Sequence, residues 1–330
     1  MASTPFSESL AKEIPLADVS QQEKGSLSNY NPLRLLDSLH SFKAGLGLAN
    51  PGTYEEVHRD TKNVFPANLL IDGGQFEFIK MLSPNFQISN AFSLGSAQTP
   101  SSYNFIGVAA DEDSFFQATT DSEFNLNGRL HHTFGRGLTA KGVLQTGLNV
   151  AQSVYTLEGD YAGPDNAINI KTVNPSPSTG TGILVASYLQ SITKNFALGS
   201  EVVVQRPSPE MEDSVMSYVA KYATPQSTFV AQVHDQGVLE TSYFHKVSDT
   251  AEFAANLQIV AAPGKRDAIC TLGAKFEFKQ ATMRTQIDTT GRVATLLEER
   301  IAPPLALLLS ADLDHFKGQS RFGLGVRFSI

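Results

Sequence analysis

The chain has 330 residues, 25 Lys plus Arg against 33 Asp plus Glu, a net charge of −8 and one cysteine. The lone Cys270 excludes a disulfide framework and any multi-cysteine zinc or iron–sulfur site. The acidic balance argues against a nucleic-acid binder, which carries a basic footprint, and fits a positively charged partner better.

In chain order, residues 1–31 are polar and Ser-rich without a sustained period, and are expected to form a flexible tail. The first 25 residues hold Glu8, Glu13, Asp18 and Glu23 but no Arg, which is wrong for a mitochondrial transit peptide. They lack the apolar core of a secretory signal too, so any organelle address is expected inside the mature chain. Residues 32–72 read as a region of short helices. Leu33, Leu35, Leu36, Leu39 and Phe42 fall at helical offsets and predict an amphipathic helix over 32–42. Asn50-Pro51-Gly52 marks a break, and Thr53 with Glu56 has the spacing of a capping box, which predicts a second helix running to Asn63. That helix is mostly polar (Glu55, Glu56, His58, Arg59, Asp60, Lys62), so it needs a polar surface to rest on.

From Gly73 the period changes to two and stays there to the end. Phe124, Leu126, Leu130 and Phe134 alternate with Asn125, Asn127, Arg129 and His131. Phe253, Ala255, Leu257 and Ile259 oppose Glu252, Asn256 and Gln258. Phe322, Leu324, Val326, Phe328 and Ile330 oppose Arg321, Gly323, Gly325, Arg327 and Ser329. Successive side chains of a strand point to opposite faces, so this is strand alternation. Turn chemistry interrupts it at Ser83-Pro84-Asn85, Gly135-Arg136-Gly137, Gly163-Pro164-Asp165, Asn174-Pro175-Ser176-Pro177, Arg206-Pro207-Ser208-Pro209, Asp235-Gln236-Gly237, Pro263-Gly264 and Lys317-Gly318. At about 13 or 14 residues per strand and turn, residues 73–330 hold roughly 18–20 strands.

So many meandering strands leave exposed edges unless the sheet closes on itself. In hydrocarbon closure is obligatory, because unpaired amides find no water there. The expected fold is therefore an all-β transmembrane barrel over 73–330, apolar outside and wet inside, with the polar second helix in or near the lumen. A soluble β-sandwich also alternates, but here the polar face carries charge on strand after strand. No run reaches the ~18 apolar residues of a spanning helix; the nearest, Ile301–Ala311, contains Pro303 and Pro304. With no Trp, the nine Tyr must supply the aromatic belt.

Specific residues carry a family resemblance. Asn50-Pro51-Gly52-Thr53-Tyr54-Glu55-Glu56 with His58-Arg59 resembles the helix entering the pore subunits of the translocase of the mitochondrial outer membrane. The stretch from Gly182 to Thr193, Ala197 to Glu201, and Tyr243 to Asp249 are similar to strands of the same family. The resemblance covers Asn50 to Ile330 and leaves residues 1–49 outside it. It implies a barrel of 19 mostly antiparallel strands with first and last parallel. It implies a channel importing nuclear-encoded precursor proteins with basic presequences. The partners implied are those precursors, small single-span and receptor subunits, membrane lipid and copies of itself. Thr53, Glu55, Glu56 and Arg59 would belong to the pore helix. Arg321, Gly323, Val326 and Phe328 resemble the sorting signal of outer-membrane barrels.

Basic amphipathic presequences need carboxylates on the wet wall. Alternation assigns Glu77, Glu158, Asp160, Glu201, Glu252, Glu277, Asp312 and Asp314 to that face, with Arg129, Lys141, Lys171, Lys221, Lys275 and Arg327 beside them. Many of these charges can simply pair across strands. No catalytic residue, metal or cofactor is expected. His131 and His132 face opposite sides, Asp312-x-Asp314-His315 is a weak metal pattern, and no phosphate loop or His-Glu-x-x-His is present. The alternative function is a metabolite porin of the voltage-dependent anion channel type, which would show a basic lumen.

Overall fold

The computed structural model describes residues 47–330 apart from 68, 97–99, 136, 148–152, 177–178 and 263. The expected tail and the helix over 32–42 lie outside the described residues. Among the described residues one short helix, α1 (Arg59–Val64), precedes a series of strands. The first are β1 (Gly73–Ser83), β2 (Phe86–Leu94), β3 (Ser102–Ala110), β4 (Ser114–Asp121), β5 (Leu126–Thr133) and β6 (Leu138–Thr146). Next come β7 (Val154–Ala162), β8 (Asn166–Ser176), β9 (Thr181–Ser191), β10 (Phe196–Ser208), β11 (Met211–Ala223), β12 (Ser227–His234) and β13 (Val238–Ser248). The last are β14 (Ala251–Ala262), β15 (Lys265–Glu277), β16 (Ala281–Asp288), β17 (Arg292–Ala302), β18 (Leu305–Asp314) and β19 (Gln319–Ser329).

Each strand pairs antiparallel with the next, and β1 pairs with β19 to close one 19-stranded sheet. An odd number of up-and-down strands leaves the first and last running the same way. The seam is therefore parallel, with Gly73 beside Gly323, Phe76 beside Val326 and Ile79 beside Ser329. Closure leaves no free edge for a lipid environment to leave unsatisfied.

The alternation sorts side chains as the sequence pattern implies. Phe76, Phe92, Leu157, Ile170, Leu272 and Leu324 are exposed on the outer face, and Phe78 stacks on Phe328 across the seam at 5.9 Å. Tyr155, Tyr161, Tyr188, Tyr218, Tyr222 and Tyr243 are likewise exposed and outward, supplying the aromatic anchors that Trp would otherwise provide. Ser187, Ser217, Ser242, Gln286, Ser310 and Asp312 are buried on the opposite, polar face.

Three details differ from the sequence reading. Phe124 and Phe134 lie outside β5, and Phe124 takes a positive φ of 61° in the β4–β5 turn, where Asp121 accepts the Asn125 and Glu123 amides. The Pro175 and Pro207 segments do carry hairpin ends, but pairing reaches one residue past each proline: β8 ends at Ser176 and β10 at Ser208, after register shifts between Val173 and Ser176 and between Gln205 and Ser208. A bulge removes the need for the amide that proline lacks. The third difference is the second helix. It starts at Arg59, not Thr53, with His58 at its N-cap and no side-chain cap. Residues 53–58 form tighter turns instead: Glu56 N donates to Thr53 C=O at 3.2 Å and Val57 N to Tyr54 C=O at 3.3 Å. The capping box gives way because the wall claims this stretch.

Candidate functional site

Residues 49–65 form a strap against the polar face of the barrel wall. Its first anchors are near the ends of β8 and β9: Ser191 Oγ donates to Ala49 C=O at 2.7 Å, and Asn50 Nδ2 to Gly163 C=O at 2.6 Å. Lys221 Nζ donates to Pro51 C=O at 2.9 Å, and Lys171 meets Glu55 at 2.6 Å. His58 is buried and bonded at both ring nitrogens, Nδ1 to Ser242 Oγ at 2.7 Å and Nε2 to Gln232 Oε1 at 3.0 Å. An amide oxygen only accepts, so Nε2 donates to it. The same Gln232 donates from Nε2 to Tyr54 OH at 3.1 Å. Burial, with the Glu201 carboxylate nearby, pushes the Tyr54 phenol up, so it stays neutral. Thr228 Oγ1 donates to Asp60 at 3.2 Å.

The strap also has an apolar underside. Tyr54 and Val57 are buried with Leu189, Ala197, Val219 and Val230 in one cluster. Gly199 makes room for it, because a Cβ there would lie 2.6 Å from Leu189 Cδ1 and 2.7 Å from the Tyr188 carbonyl. Gly273 does the same for the Phe65 ring, which a Cβ would meet at 2.6 Å. The sequence reading expected a polar helix on a polar wall and missed these contacts. A signal was present: Tyr218-Val219-Ala220 and Phe229-Val230-Ala231 are apolar on both faces. In a half-wet barrel, such strands need cover on the inside.

The wall charges are organised as pairs. Lys141 stands between Glu158 at 3.0 Å and Asp160 at 2.6 Å, and Asn169 donates to both carboxylates. Lys275 joins Glu252 at 3.3 Å and Glu277 at 2.5 Å. Asp312 is buried and takes a two-pronged Arg292 at 2.8 and 2.9 Å, with Arg321 at 3.0 Å. Glu77 accepts from Arg327 at 2.8 Å and from Ser89 at 3.1 Å. Asp314 holds its own turn through the Phe316 and Lys317 amides and meets Lys317 Nζ at 3.6 Å. Of the eight expected carboxylates, Glu201 alone has no ion pair among the described residues. Arg129, on the same face, also makes none among the described residues.

The four expected helix residues take different places. Glu55 binds the wall through Lys171, whereas Glu56 and Arg59 are exposed and pair with each other at 3.2 Å. Thr53 contributes its carbonyl, not its hydroxyl, to the turn. In β19, Arg321 and Gly323 face inward, while Val326 and Phe328 face outward.

Known proteins match this architecture. The family described as Eukaryotic porin matches residues 50–323. Mitochondrial import receptor subunit TOM40 of Saccharomyces cerevisiae is 31% identical, over 99% of this chain and 92% of its own length. The tom40 subunit of Neurospora crassa is 31% identical, over 91% of this chain and 93% of its own. The Homo sapiens homolog is 32% identical, over 84% and 78%. With a closed ring of 19 strands and a near full-length likeness to these subunits, the chain belongs to the eukaryotic porin family, in the group that holds the TOM40 import receptor subunits.

Proposed function

We propose that this chain is a protein-conducting channel of the mitochondrial outer membrane, through which nuclear-encoded precursors are imported. The observation that carries this reading is the likeness to import receptor subunits over 99% of the chain. The physical setting supports it: a ring of 19 strands is wide enough to keep an aqueous lumen. Its wall offers short-range, mutually compensated charges rather than one deep site. Weak repeated contacts let a chain enter and also leave.

Basic presequences are the proposed cargo. Glu201 is the carboxylate available to them, close to Glu55 of the strap and Lys171 of β8. The paired carboxylates act as a group, exchanging Lys or Arg of the wall for cations of the passing chain at small net cost. In this reading residues 1–31 are a tail, 32–72 a helical region whose second helix sits in the pore, and 73–330 the barrel. Receptor subunits, small single-span subunits, lipid and further copies of the chain surround it. The anion-channel alternative is not favoured by the import subunits that the chain resembles.

Single-channel recording in a planar bilayer tests the reading, with a basic presequence peptide and a charge-reversed control. Cation preference with block by the basic peptide alone is the expected result. Anion preference without selective block would replace the import channel by a metabolite porin.

A further inference from the structure

We infer that the lumen face of β18 and β19 is a docking site for residues 69–72 of this same chain, and that this contact holds the barrel seam shut. The inference does not depend on what the channel carries. It gives Gly323 a role in the finished barrel, separate from any part in sorting.

The seam needs such help. Gly73 faces Gly323 across it and Gln75 faces Gly325, so its first rungs have almost no side-chain pairs to hold them. Residues just before β1 supply the missing contact from inside. Ile71 N donates to Ser310 Oγ at 3.1 Å, and the same hydroxyl donates to Ile71 C=O at 2.5 Å. Ser310 is buried, so both bonds are shielded from water. The clip fits only because position 323 has no side chain. A Cβ there would collide with the Ile71 carbonyl oxygen and lie 2.5 Å from both the Ile71 carbonyl carbon and Ser310 Oγ. At Gly325, a Cβ would lie 2.7 Å from Ile71 Cδ1 and 3.2 Å from Leu308 Cβ. Like Gly199 and Gly273 under the strap, these glycines are confined, whereas Gly107, Gly142 and Gly159 have nothing within 4 Å of an added Cβ. Next to the clip, Arg327 of β19 reaches Glu77 of β1 at 2.8 Å and Glu298 of β17 at 3.3 Å, tying three strands across the seam.

The geometry implies an order of assembly. The clip lies on the inner face, so residues 69–72 must be inside before β1 and β19 zip. Being joined directly to Gly73, they arrive with the first strand.

The test uses the full chain with Cys270→Ala, refolded in lipid–detergent micelles where no sorting machinery is present. Phe76→Cys with Val326→Cys, neighbours across the seam, report its closure through a short thiol cross-linker. Ser310→Ala should raise the open fraction by about fivefold or more, as the loss of one or two net hydrogen bonds implies. Gly323→Ala should open the seam at least as much, while Gly142→Ala should match the parent. If Gly323→Ala fails to refold, Ser310→Ala, which adds no bulk, decides. Parent-like cross-linking in both Ser310→Ala and Gly323→Ala would overturn the inference. So would a Gly323→Ala variant that closes normally in micelles but fails only in mitochondria, since glycine would then serve sorting alone.

Discussion

At the residue scale, a buried histidine and a few apolar side chains reinforce the polar anchors that tie the strap to the wall. Leu189 is fully buried beneath Tyr54 and Val57 although it points into a wet lumen. Leu189→Ala should cost about 2–5 kcal/mol, the range for a large-to-small change at a buried site. Urea titration of the refolded barrel in lipid, followed by fluorescence or heat-modified mobility, checks this. An unchanged midpoint would mean the strap is not packed on β9. His58 makes a different demand. His58→Ala strands the buried Ser242 hydroxyl and the half-buried Gln232 amide, whereas His58→Asn can restore one of their bonds. Alanine should therefore increase open-channel current noise more than asparagine does, because it frees the strap on the timescale of single-channel recording.

At the element scale, α1 has six residues and no side-chain cap, far below the ~12–15 residues at which a helix is marginal in water. Its shape is imposed by the wall. A synthetic peptide covering residues 48–66 should show no helical circular dichroism in buffer; a clear helical spectrum would contradict this dependence. At Pro175 and Pro207 local signal and context agree: both prolines stand at the hairpin ends that the sequence pattern marks, and one further pair, Ser176 with Thr181 and Ser208 with Met211, forms past each register shift.

At the scale of the whole molecule, paired charges make ion selectivity sensitive to single losses. Asp312→Asn removes the partner of both Arg292 and Arg321. Reversal potentials in a salt gradient should then shift toward anions. Arg327→Gln frees Glu77 and Glu298 and should shift them toward cations. Both shifts should shrink as salt rises, because the lumen is aqueous and screened. Equal selectivity in the two variants would mean that these pairs do not line the conducting path.

The barrel was legible in the amino-acid sequence: the onset of period two at Gly73, the inward and outward sets, and a strand number near 19. These are legible because burial on one side of a sheet acts residue by residue, and the chain writes it as alternation. Membership of the family was legible in contiguous stretches such as Gly182 to Thr193. The pairing of individual lumen residues emerged with the folded barrel. Seven expected carboxylates have cation partners, five of them on an adjacent strand, Glu277 within its own strand and Asp314 three residues along the chain, and Thr53 makes no cap where Tyr54 and Val57 pack with Leu189, Val219 and Val230. Ile71 meets Ser310 across 239 positions of chain. The Ile71 contact and the Glu77–Arg327 pair depend on ring closure, which brings the two ends of the barrel together at a register that no local pattern contains.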